Sequence, residues 1–297
     1  MAGQEAVQKF CAYCGSDGPF SREHIWPRGI IKRVPDYDAR YFGNPDKVLS
    51  AEHTIRDVCT ACNNGVLSEL DAYGCRLFDD YFHLTDTRGA PVHFRYDFDL
   101  ILRWLLKISY NASRSVGIDT EYLQRCVPYI LGAEDTIKDV WLLAVLVEPV
   151  TGIIRGVYDE LPPYGVRAAR VETAEDVPLP FIVRLVAVNA FYFLLVITKD
   201  GEAANFALAK RLLPGKQVPR TRRSVWLRPS GLDTRDVWLG HMVDKDHLYR
   251  EHFARRRSKS GEGLVSADLA ATRSSRPERH PFQPHTSRDT GNRSRER

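Results

Sequence analysis

Two cysteine pairs bracket the first part of the chain, in Cys11-Ala12-Tyr13-Cys14-Gly15 and in Cys59-Thr60-Ala61-Cys62-Asn63-Asn64-Gly65. Two residues separate the cysteines of each pair, which lets one turn of backbone aim both sulfur atoms at a tetrahedral ion. The alternatives are two redox pairs or four buried thiols, but redox pairs accompany a βαβ pattern that this sequence lacks. We therefore predict a structural zinc site formed by Cys11, Cys14, Cys59 and Cys62.

A structured segment is expected between the pairs, because the 44 residues that separate Cys14 from Cys59 exceed the spacing of about 15–20 residues in a simple zinc ribbon. This segment contains Ser21-Arg22-Glu23-His24-Ile25-Trp26-Pro27. Neighbouring residues on a regular strand point to opposite sides, so Glu23 and His24 would not share one centre. A β-bulge or the end of the strand would re-aim one of them, and the proline is compatible with a strand that ends there.

With these elements in this order, residues 11 to about 80 resemble the HNH endonuclease family. The resemblance is to the branch that has E-H-I-x-P between the cysteine pairs and C-x-x-C-N-N-G at the second pair. It implies a ββα-metal fold in which a hairpin carries the catalytic histidine and a helix carries metal ligands. It also implies hydrolysis of phosphodiester bonds to 5′-phosphate and 3′-hydroxyl ends, and we expect DNA as the substrate.

The resemblance assigns roles to three residues. By position His24 matches the family's general base, and the usual histidine pKa of about 6.5 suits that task near neutral pH. Glu23 and Asn63 match the family's ligands for a catalytic metal. Carboxylate and amide oxygens are hard ligands, so Mg²⁺ or Mn²⁺ is the expected cofactor, with the substrate phosphate and waters completing its coordination.

The sequence departs from the family pattern at three positions. Thr54 stands near the place of the middle asparagine, and its hydroxyl would support His24 less well than an amide. Glu23 replaces the commoner aspartate or histidine, and Leu67 occupies the place of a further helix ligand. These departures support a second hypothesis, a catalytically inactive zinc-stabilised module that binds nucleic acid or a protein partner.

Each of the residues assigned to catalysis also has an ordinary structural role as its alternative. His24 would otherwise be a hydrogen-bonded hairpin histidine, with Glu23 as its surface neighbour. Asparagine is a good helix N-cap, so Asn63 and Asn64 have capping as their alternative role. A divided assignment, in which Asn63 binds the metal while Asn64 caps the helix or supports the ligand set, also fits the pattern.

The composition excludes several classes of protein. The 297 residues are 43% hydrophobic and 27% charged, which is typical of a globular chain and excludes a wholly disordered or fibrous one. Apolar runs are too short for a membrane span, and residues 1–10 have no apolar signal core, so we expect a soluble, cytoplasmic protein with no membrane partner. Residues 255–297 carry 11 basic and 5 acidic residues, a net charge of +6, so the overall +4 leaves −2 for the rest.

Hydrophobic periodicity predicts an α+β protein in three parts. The first part, at residues 8–85, is the one that the resemblance makes an HNH nuclease domain. An α+β accessory or specificity domain at 93–254 and a disordered basic tail at 255–297 follow it. Strands are predicted at Trp141 to Val150, Ile153 to Tyr158, Phe181 to Val188 and Phe191 to Thr198. Asp200-Gly201 predicts a hairpin leading to an apolar segment at 206–208, and a last helix is predicted at about 234–253.

Basic residues at two places are candidates for binding nucleic acid. Near the E-H-I-x-P element these are Arg22, Arg28, Lys32, Arg33 and Arg56. Residues 203–231 contain seven basic residues and no acidic one: Lys210, Arg211, Lys216, Arg220, Arg222, Arg223 and Arg228. Such clusters contact phosphates, although a solvated loop is the alternative. The tryptophans at 104, 141, 226 and 238 are predicted to pack the second domain.

Overall fold

The computed structural model describes residues 9–34, 40–42, 44–49, 54–148, 150–154, 157–161, 165–171, 179–199 and 203–233. Its mixture of helices and strands agrees with the predicted α+β class. The helix predicted at 234–253 and the tail predicted at 255–297 lie outside these residues. No helix in the described part is both long and apolar enough to span a membrane.

The first part of the fold is a pair of antiparallel strands followed by a helical segment. Its elements are β1 (Phe20–His24), α1 (Arg28–Arg33), β2 (Arg40–Phe42), β3 (Asn44–Leu49), β4 (Thr54–Cys59), α2 (Thr60–Cys62) and α3 (Ser68–Leu77). β1 pairs antiparallel with β4, and β2 pairs with β3. Although α1, β2 and β3 lie between β1 and β4 in the chain, we refer to the β1–β4 pair as the hairpin. π-helical turns at Asn63–Leu67 and Phe78–Phe82 extend α2 and α3 into one helical segment that is kinked at Gly65. Leu67, Leu70 and Leu77, which follow helical spacing in this segment, are buried.

A long helix and an antiparallel sheet form the second part. Its elements are β5 (Val92–Arg95), α4 (Phe98–Val116), α5 (Thr120–Gln124), α6 (Val127–Leu131), β6 (Val140–Glu148), β7 (Val150–Ile154), β8 (Val157–Leu161), β9 (Val166–Val171), β10 (Phe181–Val188), β11 (Phe191–Thr198), α7 (Ala203–Leu212), β12 (Lys216–Gln217), β13 (Ser224–Leu227) and β14 (Pro229–Asp233). The main sheet has the order β12-β6-β11-β10-β9, and β14 also pairs with β6. β5 pairs with β13, and β7 with β8.

The strands that sequence periodicity predicted at 181–188 and 191–198 are confirmed at those residues. The hairpin predicted at Asp200-Gly201 is wrong, because the apolar segment at 206–208 lies inside helix α7. Three apolar residues in a row do not distinguish a strand from a helix. The four alanines of Ala203–Leu212 favour the helix, since alanine has the highest helix propensity.

The hydrophobic core does not divide at the predicted boundary between residues 85 and 93. One cluster of buried residues runs from Cys11 to Leu227. At its centre, the ring of Phe82 stacks on Trp104 of α4 at 6.1 Å and lies 5.1 Å from Phe191 of β11. Gly74 permits this packing, because a Cβ there would lie 2.3 Å from the Trp104 ring.

Residues 8–85 expressed alone should therefore not fold stably. Phe82 and Leu70 would lose their partners on α4 and the sheet, and a small unit buries too little apolar surface to compensate. Urea unfolding followed by circular dichroism, with zinc present, should show no cooperative transition for this fragment and a cooperative one for the full chain. A sharp transition in the fragment would contradict the continuous core and support two independent domains.

Candidate active site and metal centre

The four predicted zinc ligands come together in space. The Sγ atoms of Cys11, Cys14, Cys59 and Cys62 all lie within 4.8 Å of one another, and those of Cys14 and Cys59 are 3.6 Å apart. A tetrahedral ion with Zn–S bonds of about 2.3 Å would hold its sulfur atoms about 3.8 Å apart. The cluster could hold a metal ion, and it is compatible with zinc. Elsewhere in the described residues, His, Cys, Asp and Glu side chains form no comparable group of three.

The local backbone prepares this cluster for an ion. The amide of Cys59 donates to Cys11 Sγ at 3.3 Å, and the amide of Cys62 donates to Cys59 Sγ at 3.4 Å. Hydrogen bonding with Ser16 lowers the pKa of Cys14 to about 6, whereas burial raises the pKa of Cys62. Four thiolates this close would repel one another, and a bound divalent cation would offset that repulsion.

The pairing register of β1 with β4 shifts between Ser21 and Glu23, ahead of the pair, whereas Glu23 and His24 lie opposite Ile55 and Thr54 in consecutive register. Glu23 and His24 therefore keep the opposite orientations of strand neighbours, and no bulge between them re-aims either one. The side chain of Glu23 is only 3% exposed, and its Oε1 atom lies 2.5 Å from Nζ of the fully buried Lys107 on α4. Lys107 also donates to both carboxylate oxygens of Asp71 on α3, at 2.7 and 2.8 Å. One ammonium group therefore bridges two carboxylates from two different elements.

Further polar contacts from α4 reach the first cysteine pair. Asn111 donates to Glu23 Oε1 at 3.2 Å and accepts from the hydroxyl of Tyr13 at 2.7 Å. Arg114 donates to Asp57 of β4 at 2.6 Å and to Asn111 at 2.9 Å, and its guanidinium lies 5.4 Å from the Tyr13 ring centre. Helix α4 is thus fixed to β1, β4 and the metal-binding turn by buried polar contacts.

His24 lies at the end of β1, opposite Thr54 in the pairing with β4, and its side chain is half-buried. Asp71 is close enough for the two charges to interact. Burial raises the pKa of Asp71 to about 6, while Lys107 and His24 oppose that rise. Asp71 is therefore an acidic group whose charge interacts with that of His24, and the sequence pattern does not indicate it.

Asn63 connects the helix to β1. Its Nδ2 atom donates to Ser21 Oγ at 2.8 Å and to the carbonyl oxygen of Arg22 at 3.0 Å. The capping alternative for Asn63 and Asn64 is wrong, because Cys59 is the N-cap and its sulfur accepts from the amide of Cys62. Asn64 is exposed and lies beyond that cap.

Glu23 and Asn63, as arranged, do not fit a resident Mg²⁺ or Mn²⁺ ion. The carboxylate of Glu23 is buried and already neutralised by Lys107, and the amide nitrogen of Asn63 holds the backbone of β1. Lys107 occupies the position between Glu23 and Asp71 at which a second cation would meet strong repulsion. A divalent ion could bind Glu23 only if the carboxylate released Lys107.

The basic residues predicted to contact nucleic acid differ in whether they are exposed or already paired with a carboxylate. Arg22 and Arg56 line one shallow cavity of about 340 Å³ beside Ser21, so the hairpin brings them together. Arg33 is held by two hydrogen bonds to Asp79, at 2.7 and 2.9 Å, and Arg220 forms an ion pair with Asp99 at 3.0 Å. The other members in the described part are exposed: Arg28, Lys32, Lys210, Arg211, Lys216, Arg222, Arg223 and Arg228.

Sequence reasoning missed Lys107, Asn111 and Asp71. Lys107 and Asn111 fall three and seven residues after Trp104, so they share its helical stripe. A lysine and an asparagine on an apolar stripe signal a buried polar partner elsewhere. That signal was present, but no pattern in the sequence identifies Glu23 as the partner.

Replacement of one zinc ligand gives a direct test of the cysteine cluster. Wild-type protein should contain about one zinc per chain by elemental analysis, and Cys59→Ser should lose it and unfold at lower urea, because metal binding is coupled to folding. Cys75→Ser is the matched control, since Cys75 lies outside the cluster. Equal zinc content in the wild type and Cys59→Ser would contradict the assignment.

Comparisons with protein-family models, with curated proteins and with solved structures give no match to this chain. The resemblance to HNH endonucleases therefore depends on the residues of the two cysteine pairs and of the Glu23-His24 element. The geometry around them, described above, is the remaining basis for a functional hypothesis.

Proposed function

We propose that this protein is an endonuclease that hydrolyses phosphodiester bonds, with DNA as its substrate and His24 as its general base. The observation that carries the proposal is the position of His24. It ends the first strand of a hairpin whose second strand leads, through the cysteine cluster, directly into a helix. In this proposal zinc occupies the cysteine cluster and holds the hairpin and the helix start together, without a role in the reaction.

His24 has the surroundings that a base requires. A half-buried imidazole remains accessible to a water molecule and to substrate. In this proposal the charge of Asp71, which interacts with that of His24, helps to stabilise the imidazolium that forms when His24 takes a proton from that water, as an acidic partner does for catalytic histidines generally. We assign Asp71 this electrostatic role only.

Basic residues beside the hairpin support a nucleic-acid substrate. Arg22 and Arg56 share the cavity next to Ser21, and they lie on the two strands that carry His24 and Thr54. Phosphate contacts of this kind position a nucleic acid without reading its sequence. Mg²⁺ or Mn²⁺ belongs to the proposal only as an added cation to be tested, because Glu23 and Asn63 do not form a ready site.

A second candidate function is favoured by Lys107. Its ammonium group is already paired with both Glu23 and Asp71, whereas a metal-dependent nuclease would present such carboxylates to its ion. This built-in cation is the arrangement expected of a catalytically inactive module that retains the hairpin and binds nucleic acid. Both candidate functions include nucleic-acid binding, and only the nuclease cleaves the bound strand.

Plasmid nicking by zinc-loaded protein, with Mg²⁺ or Mn²⁺ added, separates the two candidates. Removal of a general base should lower the cleavage rate by about 100-fold or more, so we expect His24→Ala to lose nicking while it retains zinc. His83→Ala is the matched control, because His83 is an exposed histidine at the end of the helical segment.

The possible results have distinct meanings. Cleavage by the wild type and His83→Ala, with loss in His24→Ala, supports the nuclease. Equal cleavage by all three proteins contradicts the role of His24. Salt-dependent DNA binding with no cleavage by any of them favours the inactive module.

A further inference from the structure

The small sheet formed by β5 and β13 has an inner and an outer face. Pairing places Phe94 opposite Val225 and His93 opposite Trp226. Phe94, Val225 and Leu227 are buried in the main core, so alternation along the strands directs their neighbours outward. We call the outward side, with His93, Arg95, Ser224 and Trp226, the outer strand face.

Trp226 is exposed on this face, which corrects the prediction that it packs the second domain. Its side chain is 53% exposed, whereas Trp104 is fully buried and Trp141 stacks on Phe206 at 4.8 Å. Trp238 lies outside the described residues. Tryptophan is highly buried on average, so a half-exposed ring on a regular strand points to an interaction surface.

The ring of Trp226 is stacked against the ring of His93. The two centroids are 4.7 Å apart, and the planes are inclined by 22°. Lys216 donates to the carbonyl oxygen of Trp226 at 3.1 Å, which fixes the strand beneath the ring. The two rings are nearly parallel and stacked, so a planar group can extend the stack on the side of Trp226 turned away from His93, with little ordering cost.

Basic residues precede, follow and lie within the two strands that carry these rings. Arg95, Arg222, Arg223 and Arg228 are exposed, and within the described residues none of their guanidinium groups forms an ion pair. Residues 87–96 and 203–231, which contain both strands, include no acidic residue. A partner for this face must therefore combine flat aromatic groups with negative charge.

Exposed bases linked by phosphates have this combination, and in a single strand the faces of the bases are free to stack. We propose that the outer strand face binds a single-stranded segment of nucleic acid, with a base stacked on Trp226, whose ring His93 supports from the other side, and with phosphates on Arg222 and Arg223. Proteins that bind single strands without sequence preference combine stacking rings and basic grooves in this manner. The proposal takes from the proposed function only the expectation of a nucleic-acid partner, and it does not require cleavage.

The outer strand face is separated from His24 along the helical segment. Phe94, on the inner face of the same sheet, packs 6.0 Å from Phe82, and Phe82 follows Asp71 by eleven residues along the helical segment. At 1.5 Å per residue this corresponds to about 16 Å. The face would thus hold the strand several nucleotides from the proposed cleavage site, as a binding subsite and not as a catalytic one.

Binding of fluorescein-labelled (dT)₂₀, followed by anisotropy without added Mg²⁺ or Mn²⁺, tests the proposal on the full zinc-loaded chain. Loss of one stacking ring weakens binding by about 5-fold to 150-fold, so Trp226→Ala should fall in that range while Trp226→Phe stays near the wild type. Arg222→Ala combined with Arg223→Ala should reduce the slope of log K against log salt by about 1.4. Leu212→Ala, at an equally exposed apolar residue of α7, should bind as the wild type.

Three results would overturn the proposal: no binding of (dT)₂₀ by the wild type, equal binding by Trp226→Ala, or equal losses in Trp226→Ala and Leu212→Ala. Stronger binding of a duplex of the same length, with the same dependence on Trp226, would also overturn the single-strand assignment. Strand binding is measured separately from nicking. A loss of binding confined to Trp226→Ala would therefore support this surface even if no protein nicks the plasmid, and nicking without such a loss would leave the nuclease standing while this surface fails.

Discussion

Two acidic side chains, Glu23 and Asp71, share the single buried ammonium group of Lys107, and the packing around the candidate site depends on this contact. A buried charge without a partner costs several kcal/mol. The three residues come from β1, α3 and α4, so no two of these elements can separate without leaving a charge uncompensated. Asn111 and Arg114 extend the same constraint from α4 to the cysteine cluster.

The helical segment from Thr60 to Phe82 relates the two candidate functional regions. Its start holds Asn63 against β1, and its middle presents Asp71 to Lys107 near His24. Its end inserts Phe82 among the aromatic rings that support the β5–β13 sheet. The two proposals therefore place the hairpin that carries His24 near the start of this segment and the outer strand face that carries Trp226 near its end.

Much of the fold follows from local pattern, and the rest depends on contacts between distant residues. The runs 181–188 and 191–198 are apolar and β-branched, so sequence alone located both strands. Trp226 was assigned to the core because of its size, although alternation between Val225 and Leu227 places it outside. Lys107 lies on an apolar helical stripe, but its partner Glu23 is 84 residues earlier. Periodicity reports burial, and it does not report which residue pairs with which.

A double-mutant cycle between Lys107 and Glu23 tests the central claim most directly, with the free energy of unfolding in urea as the readout. Lys107→Met should cost about 3–5 kcal/mol, because it leaves buried carboxylates unpaired, whereas Lys138→Met at an exposed lysine should cost less than about 0.5 kcal/mol. Adding Glu23→Gln should recover part of that loss, with a coupling energy of about 1 kcal/mol or more. Additive effects, or a Lys107 variant as stable as the Lys138 control, would contradict the account.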